Sequence, residues 1–161
     1  MRIGVVSDTH GKPEFFRRAV EQMGKIDLLI HAGDHYKDAL SIGKEAGLKV
    51  VAVGGNCDWF SPGPDEEELE IEGYRILVTH GHMYGVKAGT SRLAEKLREG
   101  KYDLVVYGHS HVPEITRLQA GYLMNPGSVS SPRMGCKRTY GIVEIDKNGL
   151  IPHIRELDWP S

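Results

Sequence analysis

Five short apolar runs in the first two-thirds of the chain each end in a turn that carries aspartate, histidine or asparagine. The runs cover residues 3–7, 28–32, 50–53, 76–79 and 104–107. Runs of this length, rich in β-branched residues and bounded by turn residues, are typical of buried strands. Because an unpaired polar group in a core costs about 1–3 kcal/mol, polar residues at five successive strand ends indicate a binding site rather than packing.

Helical segments separate the early runs. The pattern predicts helices over residues 13–23, 37–46 and 90–98, each followed by glycine within two residues. Alternating strands and helices indicate an α/β domain with a largely parallel sheet. Later runs at residues 115–120, 122–125, 140–146 and 151–157 lack helices between them, so an antiparallel section is expected to join the sheet. We expect one domain over residues 1–161.

One acidic stretch alternates with apolar residues. Leu69 and Ile71 are interleaved with glutamates between residues 65 and 72. This alternation predicts a half-exposed strand, paired with residues 74–79 across Gly73.

The side chains at the predicted strand ends form a metal-ligand inventory. They are Asp8, His10, Asp34, Asn56, His80, His109 and His111. The carboxyl ends of strands in an open α/β sheet are where ligands bind. Seven donors are too many for one tetrahedral zinc ion, but they fit two divalent ions that share a carboxylate. Oxygen and nitrogen donors without thiolate favour manganese, iron, cobalt, nickel or zinc over calcium.

Charge and cysteine content narrow the possible partners. The chain has 20 lysine and arginine residues and 22 aspartate and glutamate residues, so its formal net charge is 20 − 22 = −2. A nucleic acid polymer is therefore not an expected partner. Two divalent ions, two aspartates and a hydroxide sum to +1 locally, which would attract a phosphoester. The two cysteines form no CxxC pair, and no run is long enough for a membrane helix. We therefore expect a cytoplasmic protein without membrane contact; a homo-oligomer is compatible with the sequence.

The strand-end motifs, taken in order, resemble those of the calcineurin-like metallophosphoesterases. The motifs are Asp8-Thr9-His10, Gly33-Asp34, Gly55-Asn56-Cys57-Asp58, His80 and Gly108-His109-Ser110-His111. The chain resembles the small single-domain phosphodiesterase branch of this family in its length, in the Asn125-Pro126-Gly127-Ser128 turn and in the later Pro132-Arg133. Single motifs of this kind are weak evidence, but five in order are specific. The resemblance implies a four-layer α/β/β/α sandwich with mixed sheets.

The resemblance also implies roles for the strand-end residues. Asp8, His10 and His111 would hold a first ion. Asn56, His80 and His109 would hold a second ion, and Asp34 would bridge both. The expected ions are manganese first, with nickel, cobalt, iron or zinc as alternatives. A hydroxide between the ions would attack the phosphorus of a small phosphodiester.

One position departs from the family pattern. Many members have histidine after the motif asparagine, where it supports the leaving group, whereas this chain has Cys57. In that case His35 or His82 would supply a proton to the leaving group, or the leaving group would depart unassisted. An equally weighted alternative is that Cys57 is a small packing residue. Asp58 is expected to orient a ligand or its loop.

Two further residues are candidates for substrate binding. Asn125 lies in a turn that the family places near the site, and Arg133 could meet a phosphate. Alternatively, Asn125 is an ordinary turn residue and Arg133 an ordinary surface arginine.

The sequence is also compatible with a second class of function, a protein that binds metal without catalysis. A non-catalytic metal-binding scaffold, the retromer scaffold subunit, resembles the same branch. The intact set of seven ligand positions favours catalysis, and the cysteine at position 57 argues weakly for the scaffold.

Overall fold

Ten strands and three α-helices form in residues 1–59 and 63–160, the parts of the chain that the computed structural model describes. The strands are β1 (Arg2–Val6), β2 (Leu28–His31), β3 (Val50–Ala52), β4 (Glu66–Ile71), β5 (Tyr74–Thr79), β6 (Leu104–Val106), β7 (Glu114–Arg117), β8 (Tyr122–Asn125), β9 (Thr139–Asp146) and β10 (Gly149–Glu156). The helices are α1 (Pro13–Met23), α2 (Tyr36–Ala46) and α3 (Ser91–Gly100), with one 3₁₀ turn at His82–Tyr84.

The strands are divided between two mixed sheets. The first sheet has the order β10-β9-β1-β2-β3, and the second has the order β4-β5-β6-β8-β7. Strands β1, β2 and β3 run parallel, as do β5, β6 and β8. Strands β9 and β10 extend the first sheet in antiparallel fashion, and β4 and β7 flank the second sheet in the same way. The predicted antiparallel section is therefore present, but the parallel strands belong to two sheets rather than one.

Three apolar clusters hold these layers together. The central cluster joins the facing sides of the sheets, with Ile3 and Ile30 of the first sheet packed in one cluster with Ile76 and Val106 of the second. A second cluster fills the space between the first sheet and helices α1 and α2. A third lies between the second sheet and α3. The layers therefore run helix, sheet, sheet, helix, and the expected α/β/β/α sandwich is confirmed.

Local sequence explains where the helices begin and end. Helix α1 starts at Pro13 and stops before Gly24, which has a φ of 66°. Helix α2 stops before Gly47 in the left-handed conformation. Helix α1 buries Phe16, Ala19 and Met23 at helical spacing, so one face is anchored on the first sheet.

The hairpin predicted at the acidic stretch is present. Leu69 pairs with Ile76 and Ile71 pairs with Tyr74 across the turn. By contrast, the strand expected at residues 115–120 ends at Arg117, because Leu118 donates its N–H to the Gly121 carbonyl and closes a turn into β8. In the described residues no helix has both the length and the apolar character needed to cross a membrane.

Backbone hydrogen bonds bring the strand ends together. The Asp8 N–H donates to the Gly33 carbonyl at 3.0 Å, which joins the ends of β1 and β2. The Gly108 N–H donates to the His80 carbonyl at 2.9 Å, which joins the ends of β5 and β6. These four ends form one edge of the sandwich, where the predicted ligands lie.

Candidate metal centre

Four of the predicted ligands form a tight cluster at this edge. Asp8, His10, Asp34 and His111 each place one ligand atom within 4.8 Å of the others. Asp8 is fully buried and Asp34 is 2% exposed. Buried carboxylates surrounded by imidazole nitrogens need a charged or hydrogen-bonding partner, and a metal ion is one such partner.

The two oxygens of Asp8 have different surroundings. Oδ2 accepts a hydrogen bond from the Ser7 hydroxyl at 2.6 Å and from the His109 backbone N–H at 3.0 Å. Oδ1 is buried and has no hydrogen-bond partner in the described part of the chain. It lies 3.4 Å from His111 Nε2 and 3.8 Å from His80 Nε2. An orphaned buried carboxylate oxygen facing ring nitrogens fits a cation bound between them.

Backbone carbonyls select the tautomers of two histidines. His111 Nδ1 donates to the Ser131 carbonyl at 2.6 Å, and His80 Nδ1 donates to the Ala32 carbonyl at 2.8 Å. In the neutral ring the proton is then on Nδ1, and the lone pair of Nε2 points into the cluster. The Nε2 atoms of His111 and His10 face each other at 2.9 Å. The Nε2 lone pairs of neutral His111 and His80 are therefore oriented to bind a metal ion.

Asp34 lies between two groups of ligands. Its Oδ1 accepts the Cys57 backbone N–H at 2.9 Å. Its Oδ2 is 3.5 Å from His10 Nε2 and also 3.5 Å from His80 Nε2. One carboxylate oxygen is therefore equally distant from a histidine after β1 and a histidine after β5.

The remaining three predicted ligands are His80 and two residues that adjoin it, Asn56 and His109. Asn56 Oδ1 is 3.0 Å from His80 Nε2, and the ring centroid of His109 is 5.0 Å from that of His80. The fold thus brings all seven predicted ligands to one edge of the sandwich. Their oxygen and nitrogen donors fit divalent transition metals.

The cluster also sets the protonation of its members. Burial would raise the pKa of Asp34, but the hydrogen bond and positive charge of His80 outweigh it and hold the pKa well below its usual range. For His80, burial would lower the pKa, but its contacts with Asp34 and Asp8 raise it above the usual value. Burial and the nearby His80 lower the pKa of His109 to about 4, so its ring is neutral at pH 7 and able to bind a metal.

Backbone strain is concentrated on the predicted ligands. Nine non-glycine residues in the described ranges have positive φ, and five of them are predicted ligands: Asp8, His10, Asp34, His109 and His111. The left-handed conformation costs about 1–2 kcal/mol for a residue with a Cβ, and such residues cluster at functional sites. His35, adjacent to Asp34, has a φ of 75° as well.

Asp58 links two loops that carry predicted ligands. Its Oδ1 accepts the backbone N–H groups of His35 and Tyr36, each at 2.8 Å. Its Oδ2 accepts the Gly55 N–H, also at 2.8 Å. The carboxylate therefore links the loop that carries Asp34 to the loop that carries Asn56, and it contacts backbone rather than a ligand ring.

The candidate proton donors occupy different sides of the cluster. The His35 ring centroid is 6.0 Å from that of His10, and the His82 ring centroid is 5.4 Å from that of His80. His82 Nδ1 is buried without a hydrogen-bond partner in the described ranges. Burial and then the charge of Asp34 raise the pKa of the exposed Cys57 to about 11, so the protein alone keeps this side chain a neutral thiol.

Asn125 and Arg133 lie in different environments. Asn125 is fully buried, and its amide donates to the Gly108 carbonyl at 3.1 Å and the Ser110 hydroxyl at 2.9 Å. These contacts place Asn125 beneath the loop that carries His109. Arg133 is exposed, on the loop whose Ser131 carbonyl fixes His111.

Sequence reasoning missed the serines that hydrogen-bond to the predicted ligands. Ser128 and Ser130 both donate their hydroxyls to the Asp8 carbonyl, at 2.8 Å and 3.0 Å. Ser7 and Ser131 hold Asp8 and His111 as described above. The run Ser128-Val129-Ser130-Ser131, placed directly after the Asn125 turn, was the available signal.

Comparison with known proteins agrees with this geometry. The model of the calcineurin-like phosphoesterase superfamily domain matches residues 1–148. Probable metallophosphoesterase YsnB of Bacillus subtilis is 32% identical over 149 residues, covering 92% of this chain and 86% of the relative. Phosphodiesterase MJ0936 of Methanocaldococcus jannaschii is 28% identical over 166 residues, covering 91% and 95%. The chain belongs to the calcineurin-like phosphoesterase superfamily.

Solved structures show the same architecture. A predicted phosphoesterase from Streptococcus pneumoniae superposes with a TM-score of 0.77 at 26% identity, covering 96% of this chain and 97% of that one. A single mutant of Vps29 from Entamoeba histolytica shares the fold, with a TM-score of 0.75 at 19% identity, covering 98% of this chain and 100% of that one.

Proposed function

We propose that this protein is a phosphodiesterase with a dinuclear metal centre. The observation that carries the proposal is the position of Asp34, whose Oδ2 lies 3.5 Å from Nε2 of both His10 and His80. A carboxylate oxygen equally distant from two histidines on different loops is suited to bridge two ions. The proposal is supported by family membership and by the phosphodiesterase name of the Methanocaldococcus relative.

The proposed ligand sets follow the two sides of the cluster. Asp8, His10 and His111 would hold one ion, and Asn56, His80 and His109 the other, with Asp34 common to both. When bound, two divalent ions acidify water and neutralise charge on a phosphoryl group. Manganese is the first candidate, and nickel, cobalt, iron and zinc are the alternatives.

The chain itself supplies rigid orientation of these donors. The Ser7 hydroxyl and the His109 N–H hold Asp8 Oδ2, which leaves Oδ1 aimed at the histidines. The Cys57 N–H holds Asp34 Oδ1, which leaves Oδ2 facing His10 and His80, where it would be shared by two ions. Because these groups are already in place, little reorganisation is needed when the negative phosphoryl group binds.

The two flanking histidines are suited to contact the ester arms. His35 stands beside His10 and His82 beside His80, so a diester centred on the cluster has one histidine at each side. Either ring is a candidate to hydrogen-bond the leaving oxygen in place of the histidine that Cys57 replaces. Arg133 is a candidate for a phosphate oxygen. A diester, with two organic arms, makes use of both sides of this site.

Metal analysis combined with a substrate screen tests the proposal. Purified protein loaded with Mn²⁺ should bind about two ions and hydrolyse bis-p-nitrophenyl phosphate faster than p-nitrophenyl phosphate. Asp34→Asn should lose at least about a hundredfold in kcat, since the shared ligand is weakened. Asp158→Asn, which changes an exposed carboxylate, is the matched control.

Two results would contradict this function. Activity that survives Asp34→Asn or full chelation would exclude the proposed centre. A metal-loaded wild-type protein that cleaves no diester or monoester in the screen would favour the non-catalytic scaffold.

A further inference from the structure

Trp59 is held in an unusual position at the metal centre. Its side chain is 80% exposed, although tryptophan is among the side chains that gain most from burial. Its indole Nε1–H nevertheless donates to the Asn56 carbonyl at 2.6 Å. The ring is therefore fixed by its polar edge while its apolar faces remain open to solvent.

The other tryptophan of the chain shows the contrast. Trp159 is 36% exposed, and its ring centroid lies 4.4 Å from that of Phe15 on helix α1. Trp159 thus covers apolar surface, as tryptophans on a protein surface usually do, whereas Trp59 is 80% exposed.

Asn56 and His80 connect the Trp59 indole to Asp34 Oδ2, the oxygen proposed to bridge the two ions. Asn56 carries the carbonyl that holds Trp59, and the Oδ1 of the same residue lies 3.0 Å from His80 Nε2. His80 Nε2 in turn lies 3.5 Å from Asp34 Oδ2. Trp59 therefore stands on the side of the centre formed by Asn56 and His80.

We propose that Trp59 determines substrate specificity by stacking on an aromatic ring, an aryl group or a nucleobase, of the phosphodiester. This inference rests on the proposed function. A ligand with a charged phosphoryl group and a planar arm would bind the metal centre with the phosphoryl group and the exposed indole face with the arm. Stacking of this kind tolerates any flat ring, since every aromatic ring and base has a π face. Aliphatic arms would gain much less from the same surface.

Inhibition by two small phosphonates separates this role from a structural one. With Mn²⁺-loaded protein and bis-p-nitrophenyl phosphate as the reporter, Trp59→Ala should raise the Ki of phenylphosphonate about tenfold. The Ki of methylphosphonate should stay within about twofold, because it has no ring to stack. Trp59→Phe keeps a ring but loses the N–H to Asn56, so it should retain the preference for phenylphosphonate. Trp159→Phe is the matched control and should change neither Ki.

Fluorescence gives a second measurement that does not depend on turnover. Trp159→Phe leaves Trp59 as the only tryptophan, since the chain has two. In the Zn²⁺-loaded variant, phenylphosphonate should shift the indole emission to shorter wavelength, because the stacked ring excludes water from the indole face, and methylphosphonate at the same saturation should not. This measurement remains informative even if the wild-type protein proves to hydrolyse nothing, so failure of the proposed function is distinguishable from failure of the stacking role.

The stacking role is overturned by either of two results. One is that Trp59→Ala changes both Ki values equally or changes neither, which would make Trp59 only a brace for the Asn56 loop. The other is that phenylphosphonate shifts the Trp59 emission no more than methylphosphonate does.

Discussion

The backbone N–H of His109 donates to Asp8 Oδ2 at 3.0 Å, across 101 residues of sequence and from one sheet to the other. Asp8 follows β1 of the first sheet, and His109 follows β6 of the second. The contact therefore fixes the relative position of the two sheets at the edge where the metal centre is proposed. One carboxylate serves both the fold and the site.

This dual role predicts that two variants of Asp8 differ in stability. Asp8→Ala leaves the Ser7 hydroxyl and the His109 N–H without their acceptor, which should lower the free energy of unfolding by about 1–3 kcal/mol in the metal-free protein. Asp8→Asn keeps an acceptor oxygen and should lose less. Both should lose metal. Urea unfolding with chelator, beside metal analysis, measures the two effects, and equal stability of the two variants would contradict the structural role.

Asp58 should affect both stability and metal content without being a ligand. Asp58→Ala removes the acceptor of three backbone N–H groups, on His35, Tyr36 and Gly55. We expect a loss of about 2–4 kcal/mol in the free energy of unfolding and weaker binding of metal, because both ligand loops lose their anchor. Asp58→Asn retains one oxygen and should be intermediate. Metal affinity unchanged in Asp58→Ala would show that the loops hold their positions unaided.

A pair of glycine substitutions separates backbone strain from displacement of a ligand. Gly33 has a φ of 101°, and a Cβ there would lie 2.6 Å from Nδ1 of His80. Gly47 has a φ of 67° and open space around it. Both alanine variants should lose about 1–2 kcal/mol to the positive φ. Only Gly33→Ala should also lose metal and activity, because its methyl group displaces His80. Comparable metal content in the two variants would contradict this reasoning.

His31 should make the protein less stable in weak acid. Burial, partly offset by the charge of Asp8, lowers its pKa from 6.5 to about 4, and its Nδ1 accepts the Gly33 N–H at 3.2 Å. The unfolded chain therefore binds a proton at higher pH than the folded protein does. Stability from this residue is fully present above pH 6.5 and is lost as the pH falls toward 4.

The size of this effect can be measured by substitution. Between pH 7 and pH 5 the contribution of His31 to the free energy of unfolding should fall by about 2 kcal/mol. His31→Gln should be less stable at pH 7 but show a pH dependence smaller by that amount, with urea unfolding at each pH as the measurement. The same pH dependence in both proteins would mean that His31 does not titrate as described.

Much of the architecture could be predicted because it is encoded locally. The apolar runs that end before Asp8 and before Gly33 predicted β1 and β2. The alternation at Leu69 and Ile71 predicted one strand of a hairpin, and the structure has all three strands. The division of the parallel strands into two sheets was implied only by family resemblance. Periodicity records that a strand is buried, but not which strand lies beside it.

The amino-acid sequence by itself determined the order of strands and helices, the turns that end them, and the residue types available to bind metal, because each depends on neighbours along the chain. Only the tertiary structure decided that Asp34 Oδ2 is equidistant from His10 and His80, and that Ser128 and Ser130 support the Asp8 carbonyl. It also placed Asn125 inside the protein and Trp59 outside it. These relationships depend on how two sheets pack face to face, and contacts between residues far apart in sequence leave no periodic signal in either segment.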